Sequence, residues 1–269
     1  MSAKGRTSFR SGTGVLLSGI GVWIAISIAA AALGDSSHRL AATLRGPEIG
    51  ALSWLGHDAF GRPLVLLLLT ATGKSLLLAF AVVALISAVS LPAGALLAIA
   101  PGMVRRPGIA LLEFLLAFPS LLLALTVAAV RGPGWGTLLL SLLVGLAPGF
   151  IRLIQTRTRE LVIQPYVEAA RALGAGTVDV TFRHLLRGLL PVMAVKIPGL
   201  TVGILLSEAA LTFLGAGAPI GSDTWGSLLA QGKDYLLEAP HIAIAAGLPL
   251  GITVLLLQQL AERLERIER

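Results

Sequence analysis

Long runs of apolar residues, separated by short polar stretches, dominate this chain. Six runs are close to or above the roughly 20 residues that a helix needs to cross a bilayer. They cover residues 14–33, 76–100, 109–130, 136–154, 191–214 and 241–260. The pattern predicts an all-α membrane protein with six transmembrane helices.

Several prolines lie within or near the ends of these runs. Pro148 and Arg152 near the end of 136–154 make that run the weakest of the six. Pro92, Pro119, Pro198 and Pro249 lie inside the others. Membrane helices tolerate proline where neighbouring groups satisfy the freed carbonyls. Kinked helices suit a protein that opens and closes, and simple helix packing explains the prolines equally well.

Composition supports a lipid-facing exterior. Hydrophobic residues make up 55% of the 269 residues and charged residues only 13%, against roughly 25% in soluble domains. Cysteine is absent, which excludes disulfides and cysteine metal sites. The net charge of +7 comes from basic residues between the apolar runs, without interleaved aromatics. We therefore attribute the charge to membrane topology and expect no nucleic-acid partner.

The basic residues also predict the orientation. With both termini in the cytoplasm, fourteen lysines and arginines fall inside and six outside, and Lys196 remains within a span. The positive-inside rule favours this arrangement in the cytoplasmic (inner) membrane. The predicted divisions are a cytoplasmic N-terminus (1–13), a first helix (14–33), an external loop or amphipathic segment (34–75), a five-helix core (76–260) containing a cytoplasmic loop (155–190), and a cytoplasmic tail (261–269).

The cytoplasmic loop has the pattern of a helix, a turn and a second helix. Pro165 suits the first turn of a helix, and residues 166–173 favour helix. Gly174 is a natural terminator, after which Thr177 can cap a second helix with Asp179 in its first turn. The small alanines allow close approach to a partner, so the first helix is either a docking element or a solvated loop helix.

The segment EAARALG within this loop resembles the EAA loop of ABC importer permeases. The matching positions are Glu168, Ala169, Ala170 and Gly174, with Arg171 and Leu173 between them. In that family the loop forms a coupling helix that docks on an ATPase subunit. The resemblance implies that role here. The chain departs from the family pattern at Arg187, where the family has proline.

Four further segments resemble the dipeptide, oligopeptide and nickel permeases of that family. WLGHDAFGRP at 54–63 is similar to an external motif, with Gly56, Asp58, Gly61 and Arg62 matching and His57 and Pro63 departing. The others are LLAFPSLLLAL (115–125), SEAALTFLGAG (207–217) and WGSLLAQGKDYLLEAP (225–240). The resemblance implies a six-helix, type I importer fold. It also implies a second homologous permease, one or two ABC ATPase subunits and an extracytoplasmic substrate-binding protein as partners, with membrane lipid around the bundle.

Glu208 is the candidate polar site within a span, because intramembrane carboxylates are functional candidates by default. Arg62 and Lys74 are its predicted partners, and a structural ion pair competes with a substrate contact. ATGKS at 71–75 resembles a phosphate-binding loop, but Leu68 stands where that motif needs glycine. We therefore expect ATP hydrolysis in partner subunits, no enzyme activity and no cofactor in this chain.

The expected function is that of an ABC importer permease which forms half of a pathway for di- or oligopeptides. A nickel or metal-chelate importer is an alternative, although the four histidines, His38, His57, His184 and His241, are far apart in sequence. A secondary transporter or channel is the rival of a different class. It predicts buried charge pairs and an inverted repeat, and neither is evident in the sequence apart from Glu208 and Lys196. A purely scaffolding membrane subunit is a further alternative.

Overall fold

A computed structural model describes residue 21 and residues 44–47, 54–174, 176 and 185–268. This part of the chain is helical and contains no strand, apart from an isolated bridge between His57 and Pro63. Its helices are α1 (Leu64–Ile99), α2 (Gly102–Leu116), α3 (Ser120–Arg131), α4 (Trp135–Val162), α5 (Pro165–Ala172), α6 (Leu186–Phe213), α7 (Trp225–Asp234) and α8 (Pro240–Glu268).

Four of these helices, α1, α4, α6 and α8, are long and apolar enough to cross a membrane. The pair α2 and α3 makes up to five spans in the described residues if it is counted as one bent span. These helices correspond to five of the six predicted spans. The first predicted span, 14–33, lies outside the described residues except for Gly21.

The predicted span 109–130 is two helices rather than one, with an angle of 88° between α2 and α3. The break falls at Pro119, which caps α3 in an extended conformation with ψ near 129°. Proline has no N–H to continue the preceding helix, and its ring clashes with the carbonyl one turn earlier. The sequence placed Pro119 inside a span without predicting this change of direction.

Two other helices are longer than predicted. Helix α1 begins at Leu64, so residues 64–75 of the predicted external segment are helical. Helix α4 continues past the predicted end at 154 to Val162, because Gln155 and Thr158 are polar but buried against its neighbours. Residues 155–162 of the predicted cytoplasmic loop, 155–190, are therefore helical.

Glycines permit the closest helix contacts. A Cβ on Gly94 of α1 would lie 2.7 Å from the Ile154 Cβ of α4. A Cβ on Gly145 would lie 2.6 Å from the Ser120 carbonyl oxygen at the start of α3. Small residues at such crossings let membrane helices approach through their backbones. The core between them is filled mainly by leucine, isoleucine and alanine.

The two ends of the bundle differ in structure. At one end, which we call the loop end, the start of α1 meets the end of α6, the 214–224 loop, α7 and the start of α8. At the other, the α5 end, α5 packs beside the ends of α1 and α4 and the start of α6. An ion pair of 2.7 Å between Lys196 and Glu265 joins α6 to α8.

Candidate functional site

The buried carboxylate of Glu208 lies at the loop end, where helix α6 faces α1. Its Oε2 accepts a hydrogen bond of 3.4 Å from the Ser75 hydroxyl of α1. The same hydroxyl accepts a bond of 3.2 Å from the backbone N–H of Trp225, the first residue of α7. Two consecutive hydrogen bonds, which we call a relay, therefore connect the start of α7 through Ser75 to Glu208.

A second relay reaches the other oxygen of the same carboxylate. Thr212, one turn along α6, donates its hydroxyl to Glu208 Oε1 at 3.1 Å. That hydroxyl accepts a bond of 3.1 Å from the backbone N–H of Ala218. Both relays pass from a backbone N–H through a hydroxyl to Glu208, and they begin at Ala218 within the 214–224 loop and at Trp225 directly after it.

The free-energy cost of burying this carboxylate is offset by hydrogen bonds from hydroxyl groups and by the nearby N-terminus of α7. Glu208 is 1% exposed, and burial of an unpaired charge is costly unless hydrogen bonds compensate. Ser75 and Thr212 supply such bonds, one to each oxygen. Thr224 caps α7, whose N-terminus carries a partial positive charge that favours a nearby carboxylate.

The predicted partners of Glu208, Arg62 and Lys74, instead contact Asp223. Arg62 Nη1 lies 3.1 Å from Asp223 Oδ1, and Lys74 Nζ lies 3.2 Å from Oδ2. An ion pair of Glu208 with Arg62 or Lys74, one of the two interpretations that the sequence left open, is therefore wrong. Asp223 was not singled out in the sequence. Its partners lie far away along the chain, so no local sequence pattern predicts the pairing.

The external motif folds around Asp58. Its Oδ1 accepts backbone N–H bonds from Phe60 at 2.9 Å and Arg62 at 2.8 Å, and its Oδ2 accepts from Arg62 Nε at 2.8 Å. Gly56 and Gly61 have φ angles of +85° and +75°, a region that side chains disfavour. The four motif residues chosen from the sequence thus form one tight turn, which fixes the Arg62 guanidinium toward Asp223.

Two of the four histidines come together at the loop end. The His241 Nε2 lies 3.3 Å from the His57 carbonyl oxygen, and the His241 ring covers Gly56. His38 and His184 lie outside the described residues. Within the residues that the structure describes, no three His, Cys, Asp or Glu side chains are grouped so that they could hold a metal ion.

The α5 end presents the predicted docking helix. Val167 of α5 is buried against Leu185, while Glu168 and Ala169 are exposed and Leu173 is 89% exposed. Gly174 ends the turn with φ at +89°, as the sequence predicted for a glycine terminator. The predicted second helix, with Thr177 and Asp179, falls outside the described residues. Arg187 lies exposed in the first turn of α6.

A cavity of about 470 Å³ opens at the α5 end. Its floor is apolar, and two arginines line it, one from the start of α2 and one from the end of α4. The lining residues are Ala98, Ile99, Arg105, Arg159, Val162 and Ile163. The cavity therefore gives this end a basic recess near the exposed face of α5.

Three residues of the loop-end network were missed by sequence reasoning: Ser75, Thr212 and Asp223. A signal existed for Thr212, because it follows Glu208 by four residues and such pairs share one face of a helix. Ser75 lies in the ATGKS segment, which resembles a phosphate loop but is part of α1. Its partners come from α6 and α7, so only the packing of three elements identifies it.

Membrane-length helices, with a tethered loop at one end of the bundle and a short helix at the other, define a polytopic membrane protein. Residues 90–267 match the family described as the binding-protein-dependent transport system inner membrane component. The chain belongs to this family, and it is the multi-pass inner-membrane permease subunit of an ABC importer.

Similar proteins agree with this assignment. A glutathione transport system permease protein of Pectobacterium atrosepticum is 31% identical over 212 residues, which cover 78% of this chain and 70% of the relative. A putative peptide transport system permease protein of Brucella suis is 31% identical over 265 residues, covering 97% and 87%. The MetNI methionine ABC transporter, solved in an inward facing conformation, shares the fold with a TM-score of 0.63 at 22% identity, covering 76% of this chain and 97% of the solved chain.

Proposed function

We propose that this chain forms half of a translocation pathway for di- or oligopeptides, together with a second homologous permease. The observation that carries the proposal is the exposed face of α5, which projects at the end opposite the tethered 214–224 loop. Relatives named as glutathione and peptide permeases support the substrate class. The cavity for the substrate would be shared with the second permease.

The α5 end is proposed to face the cytoplasm, with both termini on that side. Arg105, Arg157 and Arg159 lie at this end, close to the ends of α1 and α4. An excess of basic residues marks the cytoplasmic side of membrane proteins. The loop end then faces outward, where an extracytoplasmic binding protein delivers substrate.

ATP hydrolysis is proposed to take place in one or two partner ATPase subunits that dock on α5. Val167 anchors α5 to the bundle through Leu185, so a force on the exposed residues reaches the start of α6. Helix α6 has 28 residues, which span about 42 Å at 1.5 Å per residue. A displacement at α5 is thereby carried along one helix to the loop end, as alternating access requires.

A charge reversal on α5 tests the proposal. We expect Glu168→Arg to abolish co-purification of the ATPase subunits and peptide uptake, while the chain still inserts into the membrane. Glu262→Arg is the matched control at the same end of the bundle, because Glu262 is exposed on α8 and not on α5. Its complex should assemble and transport normally.

The assay should use the complete complex in vesicles, with the binding protein loaded with a mixture of di- and tripeptides. ATPase stimulation by the loaded binding protein in the Glu168→Arg complex, equal to that of the unmodified complex, would contradict docking through α5. Transport of peptides by the purified chain without any ATPase would favour a secondary transporter instead.

A further inference from the structure

We propose that Glu208 is a positioning residue that makes the 214–224 loop follow relative movements of α1 and α6. Docking of the extracytoplasmic binding protein on this loop then changes the activity of the ATPases. This inference rests on the proposed function, since it assigns a role to the loop end of that importer. The role is to position backbone, and it requires no contact between Glu208 and substrate.

The hydrogen-bond pattern carries the first step. Each oxygen of the Glu208 carboxylate receives one hydroxyl, from Ser75 and from Thr212. Each hydroxyl is oriented by a backbone N–H, from Trp225 and from Ala218 respectively. Two points of the chain are therefore connected to the Glu208 side chain: Ala218 within the loop and Trp225 directly after it. Each relay uses a different carboxylate oxygen.

The second step concerns which helices the network joins. Ser75 belongs to α1, whereas Glu208 and Thr212 belong to α6, so the network crosses the contact between these two helices. Asp223 adds a further attachment to the α1 side through Lys74. A shift of α6 along α1 must stretch these bonds or carry the loop with it.

The third step concerns what the loop offers to a partner. Ile220 at its tip is 97% exposed, whereas Ala218 before it and Asp223 after it are only 6% and 5% exposed. In this proposal the exposed Ile220 side chain is the point at which the binding protein contacts the loop. Pressure on this tip is transmitted to Glu208, and from there along α6 to the start of the helix beside α5.

A network that served stability alone would make a different prediction. Loss of a relay would then lower the amount of assembled complex without changing how well each complex responds to the binding protein. A positioning role predicts that assembled complexes respond less. The informative quantity is the ratio of ATPase rate with loaded binding protein to the rate without it.

Two hydroxyl substitutions on different helices provide the test in the reconstituted complex. Ser75→Ala and Thr212→Val each remove one relay, and Thr212→Ser retains the hydroxyl. Thr72→Val and Thr201→Val are matched controls, because these buried hydroxyls bond only to carbonyls of their own helices, Leu68 and Ile197. The ratio and the half-saturating concentration of the binding protein are measured for each complex.

We expect Ser75→Ala and Thr212→Val to lower the ratio by roughly fivefold or more, the lower end of typical coupling between sites. They should also raise the half-saturating concentration, whereas Thr212→Ser and both controls should match the unmodified complex. Unchanged ratios, or losses that only track the amount of assembled complex, would overturn the inference. An unmodified complex that shows no stimulation at all would instead overturn the proposed function.

Discussion

Arg62 and Asp223 are separated by 161 positions in the chain and form an ion pair of 3.1 Å at the loop end of the bundle. The second oxygen of Asp223 lies 3.2 Å from the Lys74 ammonium group. The side chain of Asp223 is 7% exposed, while those of Arg62 and Lys74 are 22% and 37% exposed. One buried carboxylate thus connects the external motif, α1 and the 214–224 loop.

Replacement of Asp223 by asparagine should destabilise the purified complex, because two cations then lose their shared partner. We expect a loss of about 2 kcal/mol, below the 3–5 kcal/mol of a fully buried pair. The measurement is the thermal unfolding midpoint in detergent, followed by tryptophan fluorescence. Asp234→Asn is the control, since that side chain is 67% exposed and should change the midpoint little.

Single substitutions of the two cations should differ in effect. Arg62→Met should lower the midpoint more than Lys74→Met, because Arg62 also bonds Asp58 and is less exposed. Equal effects of the two changes would contradict the arrangement described above.

The crossing of α1 and α4 predicts a strong effect at Gly94. A methyl group there would meet the Ile154 Cβ at 2.7 Å and the Ile151 carbonyl oxygen at 2.8 Å. Gly94→Ala should therefore cost about 1–3 kcal/mol through forced separation of the helices. A lower thermal midpoint and poorer yield of folded protein would report it.

Gly203 of α6 serves as the comparison for Gly94, since nothing lies within 4 Å of a Cβ at that position in the chain. Alanine favours helix over glycine by up to about 1 kcal/mol, so Gly203→Ala should leave stability unchanged or raise it. A second permease packed tightly on Gly203 would reverse that result and so locate an interface.

The turn after α5 predicts a coupling defect at Gly174. Its φ of +89° is unfavourable for residues with a side chain, at a cost of about 1–2 kcal/mol. Gly174→Ala should shift α5 and lower ATPase co-purification without loss of membrane insertion. Gly176→Ala should have little effect, because Gly176 does not have a positive φ and a Cβ there meets nothing within 4 Å.

The absence of cysteine makes the proposed orientation directly measurable. Leu237 is 99% exposed at the loop end, and Leu173 is 89% exposed at the α5 end. A membrane-impermeant maleimide should label a Leu237→Cys variant in intact spheroplasts. It should label a Leu173→Cys variant only after the membrane is permeabilised, and the opposite pattern would invert the proposed topology.

The sequence alone determined the membrane class and helix α5, and it singled out the motif residues around Asp58. Apolar runs of membrane length follow from the chemistry of the bilayer, which leaves helices as the main way to satisfy the backbone. Helix formers in 166–173 followed by Gly174 predicted α5, because that signal is local. Gly56, Asp58, Gly61 and Arg62 lie close in sequence, so the sequence could single them out as one motif, although it did not predict the turn that they form.

Only the tertiary structure decided the partners of the charged and hydroxyl groups. Ser75 and Glu208 are 133 positions apart, and Lys74 and Asp223 are 149 apart. Hydropathy shows that Glu208 lies in a membrane span. It does not show which neighbouring helix faces Glu208. The 88° bend at Pro119 likewise depends on packing, since other prolines, such as Pro92, remain inside continuous helices. The rotation and depth of each helix determine these pairings, and they are properties of the packed bundle.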